Sequence, residues 1–379
     1  MDIAIALFKK FTSETVKTDF FHILEEAHSR GHRITFYVSE WNTTLPPYVT
    51  LKKLPVNGLT ELGKIRNFFE MLQRETKKNP PDVLLGFTRG PGLDVYFAGD
   101  SCFTLRERKA GHFPIYHLFS KQYTVYSQLE HDVFSPESRT EILYLTERQK
   151  EQFTSCFRTP SSRFHLLPPG MSPECKCPEN AAALRKDKRE KLDLKDTDIL
   201  ILQSASNLYA KGADRLLEAM FMLPPDLRDS AKAIFLGNDQ GGKVHHLAEQ
   251  LNMLPNVKIL PIKEDHQEYL IAADLLVHLP RGEEAGVILI EAIASGLPVL
   301  CTENCGYRRF VSESRAGCLL SGKFDQLELN LTLQCILEHP EQLKILSRYA
   351  LEYSKTADFY SRSKAVVDYL EDYCRAHKR

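Results

Sequence analysis

The residues best suited to chemistry lie in one stretch, where two glutamates stand eight positions apart on either side of a glycine. Glu283 falls in a predicted loop, Gly286 opens a predicted helix, and Glu291 falls in the second turn of that helix. The amino end of a helix offers unpaired N–H groups and the positive end of the helix dipole, which favour a phosphate. Gly286 lets a ligand approach the backbone closely. Carboxylates at both ends of a phosphate site can accept hydrogen bonds from sugar hydroxyls, so the pattern suits a nucleotide-diphospho-sugar.

The elements around this stretch are predicted to place it at one edge of a parallel sheet. A strand over residues 274–278 precedes the loop, and the helix covers residues 287–295 before it stops at Gly296. A strand over residues 297–301 follows. Ligands of such folds bind where the carboxyl ends of parallel strands meet.

The same alternation of strands and helices runs through the whole chain. Further strands are predicted over residues 1–8, 33–38, 82–87, 141–145, 198–203, 233–237 and 257–260, and helices over residues 17–30 and 211–222. The last ~55 residues are mainly helical by pattern. The expected fold class is therefore α/β, with two doubly wound, Rossmann-like domains facing a central cleft.

A rigid turn and a charged segment separate the two halves. Residues 166–170 end a short apolar strand in a Pro-Pro-Gly turn, and residues 173–196 are highly charged. We therefore expect one domain over residues 1–168 and a second over residues 169–360. Residues 361–379 are expected to form a helix that returns to the first domain.

The composition is that of an ordinary globular chain of 379 residues, of which 43% are hydrophobic and 26% charged. The 49 basic residues nearly balance the 50 acidic ones, which gives no support to a nucleic-acid-binding protein. No apolar run approaches the roughly 20 residues that span a bilayer, and the amino end lacks the features of a signal peptide. Nine scattered cysteines indicate free thiols and a cytoplasmic location. No cysteine or histidine spacing matches a zinc site, so no metal ion is expected.

Short blocks along nearly the full length carry a family resemblance. They are Leu7-x-Lys9-x-Phe11, Asp19-Phe20, Pro91-Gly92-Leu93-Asp94-Val95-Tyr96-Phe97-Ala98-x-Asp100, Leu167-Pro168-Pro169-Gly170, Lys211-Gly212-x-Asp214-Arg215, Ala272-Ala273-Asp274-Leu275-Leu276 and Cys305-Gly306-Tyr307. Together with the two spaced glutamates, they resemble the retaining glycosyltransferases of the GT-B fold, family four. Within that family the chain is similar to the lipopolysaccharide core glucosyltransferases, which transfer glucose from UDP-glucose to a core heptose.

The resemblance implies that residues 1–168 form the acceptor-side domain and residues 169–360 the nucleotide-sugar-binding domain. It also implies a donor site and a catalytic set. The residues that would contact the nucleotide-sugar are Lys211, Glu283, Ala285, Gly286, Val287 and Glu291. The residues that would take part in catalysis are Asp19, Asp100, Lys211 and Glu283. Lys211 and the helix end would stabilise the departing diphosphate, whereas Asp19 and Asp100 would position the acceptor. In the family, the departing phosphate is proposed to take the acceptor proton, so the resemblance implies neither a cofactor nor a metal ion.

Each of these residues also has an ordinary structural explanation. Glu283 and Glu291 would then lie on a solvated helix face. Asp19 and Asp100 would be surface residues or helix caps, and Lys211 would be an exposed lysine at the start of a helix.

The sequence departs from the family pattern at two places near the expected diphosphate. Glu14 and Thr15 stand where the family has two glycines, and Ala210 stands where it has an arginine. A carboxylate therefore replaces bare backbone, and one of two cations is missing. One explanation is that the loop folds differently, so that Lys9 or Lys10 supplies the missing cation. Another is that the donor or acceptor sugar differs from that of the family. The remaining alternatives are a paralogue that binds without transferring and another GT-B enzyme, such as an epimerase or a phosphorylase.

Residues 103–126 are rich in phenylalanine and tyrosine, with Arg106, Arg108, Lys109 and Lys121 interleaved. One explanation is an ordinary helix and loop packed on the core. The other is a segment that docks on the anionic inner leaflet, where a glycolipid acceptor waits. The resembling enzymes have a membrane-touching segment here. The expected partners are therefore a nucleotide-sugar, a glycolipid acceptor and the inner-membrane surface, with no nucleic acid.

Overall fold

The computed structural model describes residues 1–11, 13–109, 120–172, 175–262, 265–282 and 285–377. The chain divides into two units, of which the first contains Met1–Gly170 and Tyr360–Arg379 and the second contains Met171–Phe359. The boundaries expected from the sequence, after residues 168 and 360, differ from the observed ones by one or two residues. The acceptor and donor roles assigned to the two units stay predictions.

The first unit is built on a parallel sheet of seven strands. The strands are β1 (Asp2–Leu7), β2 (Arg33–Val38), β3 (Val49–Lys53), β4 (Val83–Gly86), β5 (Val95–Ala98), β6 (Glu141–Tyr144) and β7 (Phe164–Leu166). Their spatial order is β3-β2-β1-β4-β5-β6-β7, and Ile3 of β1 lies opposite Ile34 of β2 and Val83 of β4. Strand β1 is buried almost throughout, as expected for a parallel strand covered on both faces.

Helices of the first unit pack on both faces of this sheet. They are α1 (Glu14–Ser29), α2 (Glu61–Lys78), α3 (Phe103–Lys109), α4 (Lys121–Phe134), α5 (Glu147–Phe157) and, from the end of the chain, a helix over Arg362–Ala376. On one face, Tyr37 of β2 shares an apolar cluster with Phe68 of α2. On the other face, the ring of Phe36 lies 4.9 Å from the ring of Phe20 in α1. Side chains of neighbouring residues in a strand point to opposite faces, so both faces are covered.

The second unit is built on a parallel sheet of six strands. The strands are β8 (Ile199–Ala205), β9 (Ala231–Gly237), β10 (Val257–Leu260), β11 (Leu275–His278), β12 (Val299–Thr302) and β13 (Gly317–Leu320). Their spatial order is β10-β9-β8-β11-β12-β13. The helices are α6 (Ala181–Lys191), α7 (Ala213–Phe221), α8 (Pro225–Ser230), α9 (Lys243–Gln250), α10 (His266–Ala272), α11 (Val287–Ala294), α12 (Arg308–Ser314), α13 (Gln326–Glu338) and α14 (Pro340–Ser354). The helix over Arg362–Ala376, which belongs to the first unit, is α15.

Both sheets are parallel and carry helices, which confirms the predicted pair of doubly wound α/β domains. The predicted strands over residues 33–38 and 257–260 agree with the structure residue by residue. Three strands, Val49–Lys53, Val95–Ala98 and Gly317–Leu320, have no counterpart in the sequence analysis. Two of them are edge strands, and the third, Val95–Ala98, is a short strand inside the first sheet.

The topology brings two loops of the second unit to one edge of its sheet. Strands β8 and β11 are neighbours and run parallel, with Leu275 opposite Ile201. The loop of residues 206–212 follows β8, and a second loop, described over residues 279–282 and 285–286, follows β11. Because the carboxyl ends of parallel strands meet at one edge, Lys211 and Gly286 lie in neighbouring loops. Within the described residues, no helix has the length and apolar character needed to cross a bilayer.

Candidate functional site

The two loops of the second unit are joined by contacts of Arg281. Its backbone N–H donates to the carbonyl of Ala210 (3.1 Å). Its guanidinium donates to both carboxylate oxygens of Asp214, at 3.0 and 2.5 Å, and lies over the ring of Tyr209 at 4.5 Å. A bidentate pair of this kind fixes orientation as well as distance. Arg281 therefore holds the loop that precedes Glu283 against the loop that carries Lys211.

Lys211 lies between these two loops. It is half-buried, and its Nζ donates to the carbonyl of Gly282 (3.4 Å). The buried amide of Gln203 donates to the backbone carbonyl of Lys211 (2.6 Å). The next residue, Gly212, has φ 81°, and a Cβ there would lie 2.2 Å from the carbonyl oxygen of Leu279. Only glycine permits this close approach of the two loops, which brings the Lys211 ammonium to residue 282.

Helix α11 begins directly after the second loop. Its N-cap is Gly286, with φ 78° and ψ 54°, in the left-handed region that favours glycine. No side chain of the described residues caps the helix. The first turn of a helix leaves N–H groups without partners inside the helix, so this end can bind an anion. The preceding carbonyl, of Ala285, accepts from the N–H of Tyr307 (2.7 Å), which anchors the loop at its far end.

Glu291 lies one turn after Val287, on the side of α11 that is not fully buried. The carboxyl is half-buried, and burial raises its pKa to about 7. Within the described part of the chain, it makes no hydrogen bond or ion pair. A carboxylate on a solvated helix face would keep its ordinary pKa, so that explanation does not describe Glu291. Glu283, the other predicted carboxylate, lies outside the described residues.

Asp19 is neither a surface residue nor a helix cap. It is 3% exposed within α1, and its Oδ2 accepts from Nη1 of Arg362 in α15 (2.6 Å). Burial raises the pKa of the Asp19 carboxyl more than Arg362 lowers it. A Cβ on Gly170 would lie 2.7 Å from its Oδ1. The carboxylate is thus engaged by the end of the chain, a partner that the sequence analysis did not identify, and its role toward an acceptor stays a prediction.

Asp100 lies in the turn after β5, with a side chain 24% exposed. Its Oδ2 lies 3.5 Å from Nη2 of Arg89. The preceding Gly99 packs on α1, because a Cβ there would lie 2.6 Å from Cγ2 of Val16. Asp100 is therefore accessible, and the turn that holds it adjoins the first turn of α1.

Glu14 and Thr15, the residues in place of two glycines, are the first residues of α1. Ser13 caps this helix by accepting from the N–H of Val16 (3.2 Å). The predicted helix over residues 17–30 thus begins earlier, because the serine cap extends it by one turn. The Glu14 side chain is 87% exposed and pairs with Lys17 (3.1 Å).

The structure gives no support to Lys9 as a replacement cation. Its Nζ is paired with Glu40 (2.8 Å) and Glu61 (2.9 Å). These pairs raise the pKa of Lys9, and the two carboxylates offset its positive charge. Lys10, the other candidate, is exposed.

Sequence reasoning missed the residues that support the site rather than line it. Tyr209 and Arg281 were not singled out, and Asp214 appeared only within a resemblance block. Only the tertiary structure reveals their contacts, since Asp214 and Arg281 are 67 positions apart in the chain. Across the described residues, no three His, Cys, Asp or Glu side chains are grouped as a metal site would require. Independence of metal ions stays a prediction.

Comparison with known proteins adds to this geometry. The family model for glycosyl transferases group 1 matches residues 185–353, which include both loops and α11. The chain is 33% identical over 370 residues to the lipopolysaccharide glucosyltransferase WaaG of Escherichia coli, covering 98% of each chain.

Solved structures agree with the sequence comparisons. The crystal structure of WaaG, a glycosyltransferase involved in lipopolysaccharide biosynthesis, matches with a TM-score of 0.87 over 97% of this chain and 99% of that one. Sucrose-phosphate synthase from Thermosynechococcus elongatus, 15% identical, matches with a TM-score of 0.74 over 99% of each chain and supports the GT-B fold alone. On these findings, the chain belongs to the group 1 glycosyltransferases, as a relative of the lipopolysaccharide glucosyltransferase WaaG.

Proposed function

We propose that this protein transfers a hexose, with retention of configuration, from a UDP-linked sugar to a lipopolysaccharide core acceptor. The observation that carries the proposal is the donor-type arrangement in the second unit. An uncapped helix start at Gly286, the half-buried Glu291 carboxyl and the Lys211 ammonium belong to two adjoining loops and the helix that follows. The helix start and Lys211 suit the diphosphate of a nucleotide-diphospho-sugar, and Glu291 suits its ribose hydroxyls.

In the proposed reaction, the bond between the anomeric carbon and the β-phosphate oxygen breaks. A bond forms from the anomeric carbon to an acceptor hydroxyl oxygen, on the same face of the sugar. The departing phosphate takes the hydroxyl proton, and UDP leaves. Lys211 and the N–H groups at the start of α11 stabilise the charge that develops on the phosphate. Glu291 accepts from the ribose hydroxyls, Glu283 contacts the donor sugar, and Asp100 orients the acceptor. Asp19 also helps to position the acceptor, because it lies in α1, the helix that adjoins the turn of Asp100.

One observation favours a second candidate, a paralogue that binds a nucleotide-sugar without transferring it. Ala210 offers no cation, and Lys9 is held by two glutamates. Against this, Glu14 is exposed and paired with Lys17, so its charge is partly offset. The backbone at Ala210 also keeps a structural role, because its carbonyl binds Arg281.

The donor site is tested by thermal unfolding with UDP, UDP-glucose and UDP-N-acetylglucosamine. A ligand at about 100 times its dissociation constant adds about 2.7 kcal/mol, which raises the midpoint by several degrees. We expect this rise in the wild-type chain and its loss in Glu291→Ala. The matched control is Glu179→Ala, an exposed glutamate of the same unit, which should keep the rise. No rise with any of the three nucleotides would contradict a uridine-nucleotide site.

The two candidate functions are separated by a triple variant, Glu14→Gly, Thr15→Gly and Ala210→Arg. It restores the residues of the family pattern at all three positions. If the wild-type chain transfers glucose and the variant loses that activity, the three residues that depart from the family pattern determine the specificity for the donor or acceptor sugar. If only the variant transfers, the wild-type chain is the paralogue that binds alone.

We further propose that the basic and aromatic segment over residues 103–126 contacts an anionic membrane surface; its residues 110–119 lie outside the described part of the chain. Arg106, Arg108 and Lys121 are exposed. Changing these three residues to glutamate should abolish co-sedimentation with vesicles that contain anionic phosphatidylglycerol, because each basic residue near such a surface contributes about 1 kcal/mol. The same change at Lys186, Lys191 and Lys195 of the second unit is the control. Unchanged binding of the first variant would refute this contact.

A further inference from the structure

A buried ionic cluster lies directly behind Asp100 in the first unit. Its centre is Glu130 of α4, whose side chain is fully buried. One carboxylate oxygen accepts from the N–H of Phe103 (2.6 Å), and the other accepts from the N–H (2.9 Å) and the hydroxyl (2.6 Å) of Thr104. Glu130 also pairs with Nη1 of Arg89. A carboxylate from one helix thus satisfies the first N–H groups of α3, which begins three residues after Asp100.

Arg89 connects this cluster to Asp100. Its Nε donates to the hydroxyl of Tyr96 (3.2 Å), and its Nη2 donates to the carbonyl of Ser101 (2.9 Å). The same Nη2 lies 3.5 Å from Oδ2 of Asp100. Burial lowers the pKa of Arg89, but Tyr96, Glu130 and Asp100 outweigh that effect, and the pKa is raised above its ordinary value. One permanent cation is therefore shared by two carboxylates.

Two glutamines of α5 fix the backbone of the same turn. The buried amide of Gln149 donates to the carbonyls of Ala98 (2.9 Å) and Asp100 (3.2 Å). Oε1 of Gln152 accepts from the N–H of Cys102 (3.3 Å). Backbone and side chain of the Asp100 turn are both held from inside the unit.

The two carboxylates that share Arg89 are held to different degrees. Glu130 is fully buried, accepts four further hydrogen bonds, the fourth from the Cys102 thiol (3.9 Å), and has no surface left for a ligand. Asp100 has a longer contact with Arg89 and keeps about a quarter of its side-chain surface exposed (24%). One edge of the Asp100 carboxylate is held by the cation, and the open edge can accept hydrogen bonds from the hydroxyls of a sugar.

We infer that Arg89 and Glu130 are positioning residues that orient Asp100 toward the hydroxyls of the acceptor sugar. This inference rests on the proposed function, in which Asp100 binds the acceptor. Arg89 acts on Asp100 directly, and Glu130 acts by holding Arg89 and the start of α3. Both residues belong to the first unit, whereas the proposed donor residues belong to the second, so we expect them to affect the acceptor rather than the donor.

The test measures transfer from UDP-glucose to a heptose-terminated lipopolysaccharide core with the full-length chain. Four proteins are compared, which are the wild-type chain, Arg89→Lys, Asp100→Asn and the double variant. Lysine keeps the charge but lacks the planar set of donors that reaches both carboxylates. We expect Arg89→Lys to raise the acceptor KM by about tenfold and to leave the donor KM within about twofold. In the Asp100→Asn background the same substitution should change the acceptor KM by less than about twofold.

Two further variants make the result decisive. Glu130→Gln keeps only one of the two acceptor oxygens at the start of α3 and removes the charge that holds Arg89, and it should also raise the acceptor KM alone. Arg66→Lys, an exposed arginine of the same unit, should change nothing. The inference is overturned if folded Arg89→Lys and Glu130→Gln keep the wild-type acceptor KM, or if Arg89→Lys and Asp100→Asn act independently. A wild-type chain that transfers no sugar would instead contradict the proposed function, and this inference with it.

Discussion

At the scale of single residues, Glu291 is a carboxyl whose environment differs from that of an ordinary surface carboxylate. Burial raises its pKa to about 7. Ribose hydroxyls that donate to this carboxyl would favour its ionised form and lower the pKa again. The free protein and the proposed donor complex should therefore differ in protonation near neutral pH.

We expect the affinity for UDP-glucose to rise with pH. At about pH 6, roughly a tenth of the free protein carries an ionised Glu291, whereas at about pH 8 most of it does. The dissociation constant should fall by about tenfold over this range and level off above it. Isothermal titration calorimetry measures this constant, and UDP-glucose is preferred to UDP because it lacks a titrating terminal phosphate. Glu291→Gln should bind weakly with no such slope, and an identical slope in this variant would show that another group titrates.

The same residue should affect the stability of the free protein. A carboxyl whose pKa is raised by folding costs no stability below its ordinary pKa near 4.5, and the cost grows until the pH passes about 7. Glu291→Gln should therefore be more stable than the wild-type chain at about pH 8, by about 3 kcal/mol. The difference should vanish at about pH 4. Urea unfolding at the two pH values measures it, and a variant that is less stable at about pH 8 would contradict the burial argument.

At the scale of elements, the start of α1 shows how a departure from the family pattern is accommodated. Ser13 lies in extended backbone and caps the helix, and Glu14 stands in the first turn, at the positive end of the helix dipole. Two glycines at positions 14 and 15 would weaken this turn, because glycine loses more backbone entropy on folding. The carboxylate thus stabilises an element as well as changing the charge beside the turn of Asp100.

Loss of the cap should be measurable in isolation. Ser13→Ala removes the acceptor for the N–H of Val16 and should lower the free energy of unfolding by about 1 kcal/mol. Ser13→Asp keeps an acceptor and should restore the wild-type value. Urea unfolding followed by far-ultraviolet circular dichroism measures both. Equal midpoints for Ser13→Ala and the wild-type chain would mean that α1 begins elsewhere.

At the scale of the whole molecule, the end of the chain completes the first unit. Tyr360–Arg379 belongs to that unit, although it follows the second unit in sequence. The tie is the ion pair of Arg362 and Asp19, which are 1% and 3% exposed. A second tie joins Arg30 to Asp368 (2.6 Å). The first unit is therefore complete only when both ends of the chain are present.

Breaking the buried pair from one side should cost more than removing it. Asp19→Asn removes the carboxylate charge that pairs with the buried Arg362 guanidinium and should lower the free energy of unfolding by about 3–5 kcal/mol. The double variant Asp19→Leu and Arg362→Met should stay closer to the wild-type chain. The control is Asp372→Asn, which removes an exposed pair with Arg375 and should leave the midpoint unchanged. If the double variant is less stable than Asp19→Asn, an unbalanced buried charge does not explain the loss of stability, and the pair itself stabilises the unit.

The sequence by itself determined the parts of this protein that depend on local order. The period of apolar residues predicts the strands, and the spacing of Gly286 and Glu291 predicts a helix start with a carboxylate one turn later, which α11 shows. The resemblance blocks predict the glycosyltransferase family, which the full-length relative confirms. These features are readable because each depends on residues within one element or on an ordered set of motifs.

Only the tertiary structure decided which residues act as partners. Nothing in the sequence pairs Asp19 with Arg362, because the two are 343 positions apart. The same holds for Arg281 with Asp214, and for the sharing of Arg89 between Glu130 and Asp100. Charged side chains form such pairs at almost any separation in sequence, and the pairing depends on which elements the sheet order brings together. Periodicity predicts the elements, but burial and proximity, which set the pKa of Glu291 and the partner of Asp19, exist only in the folded chain.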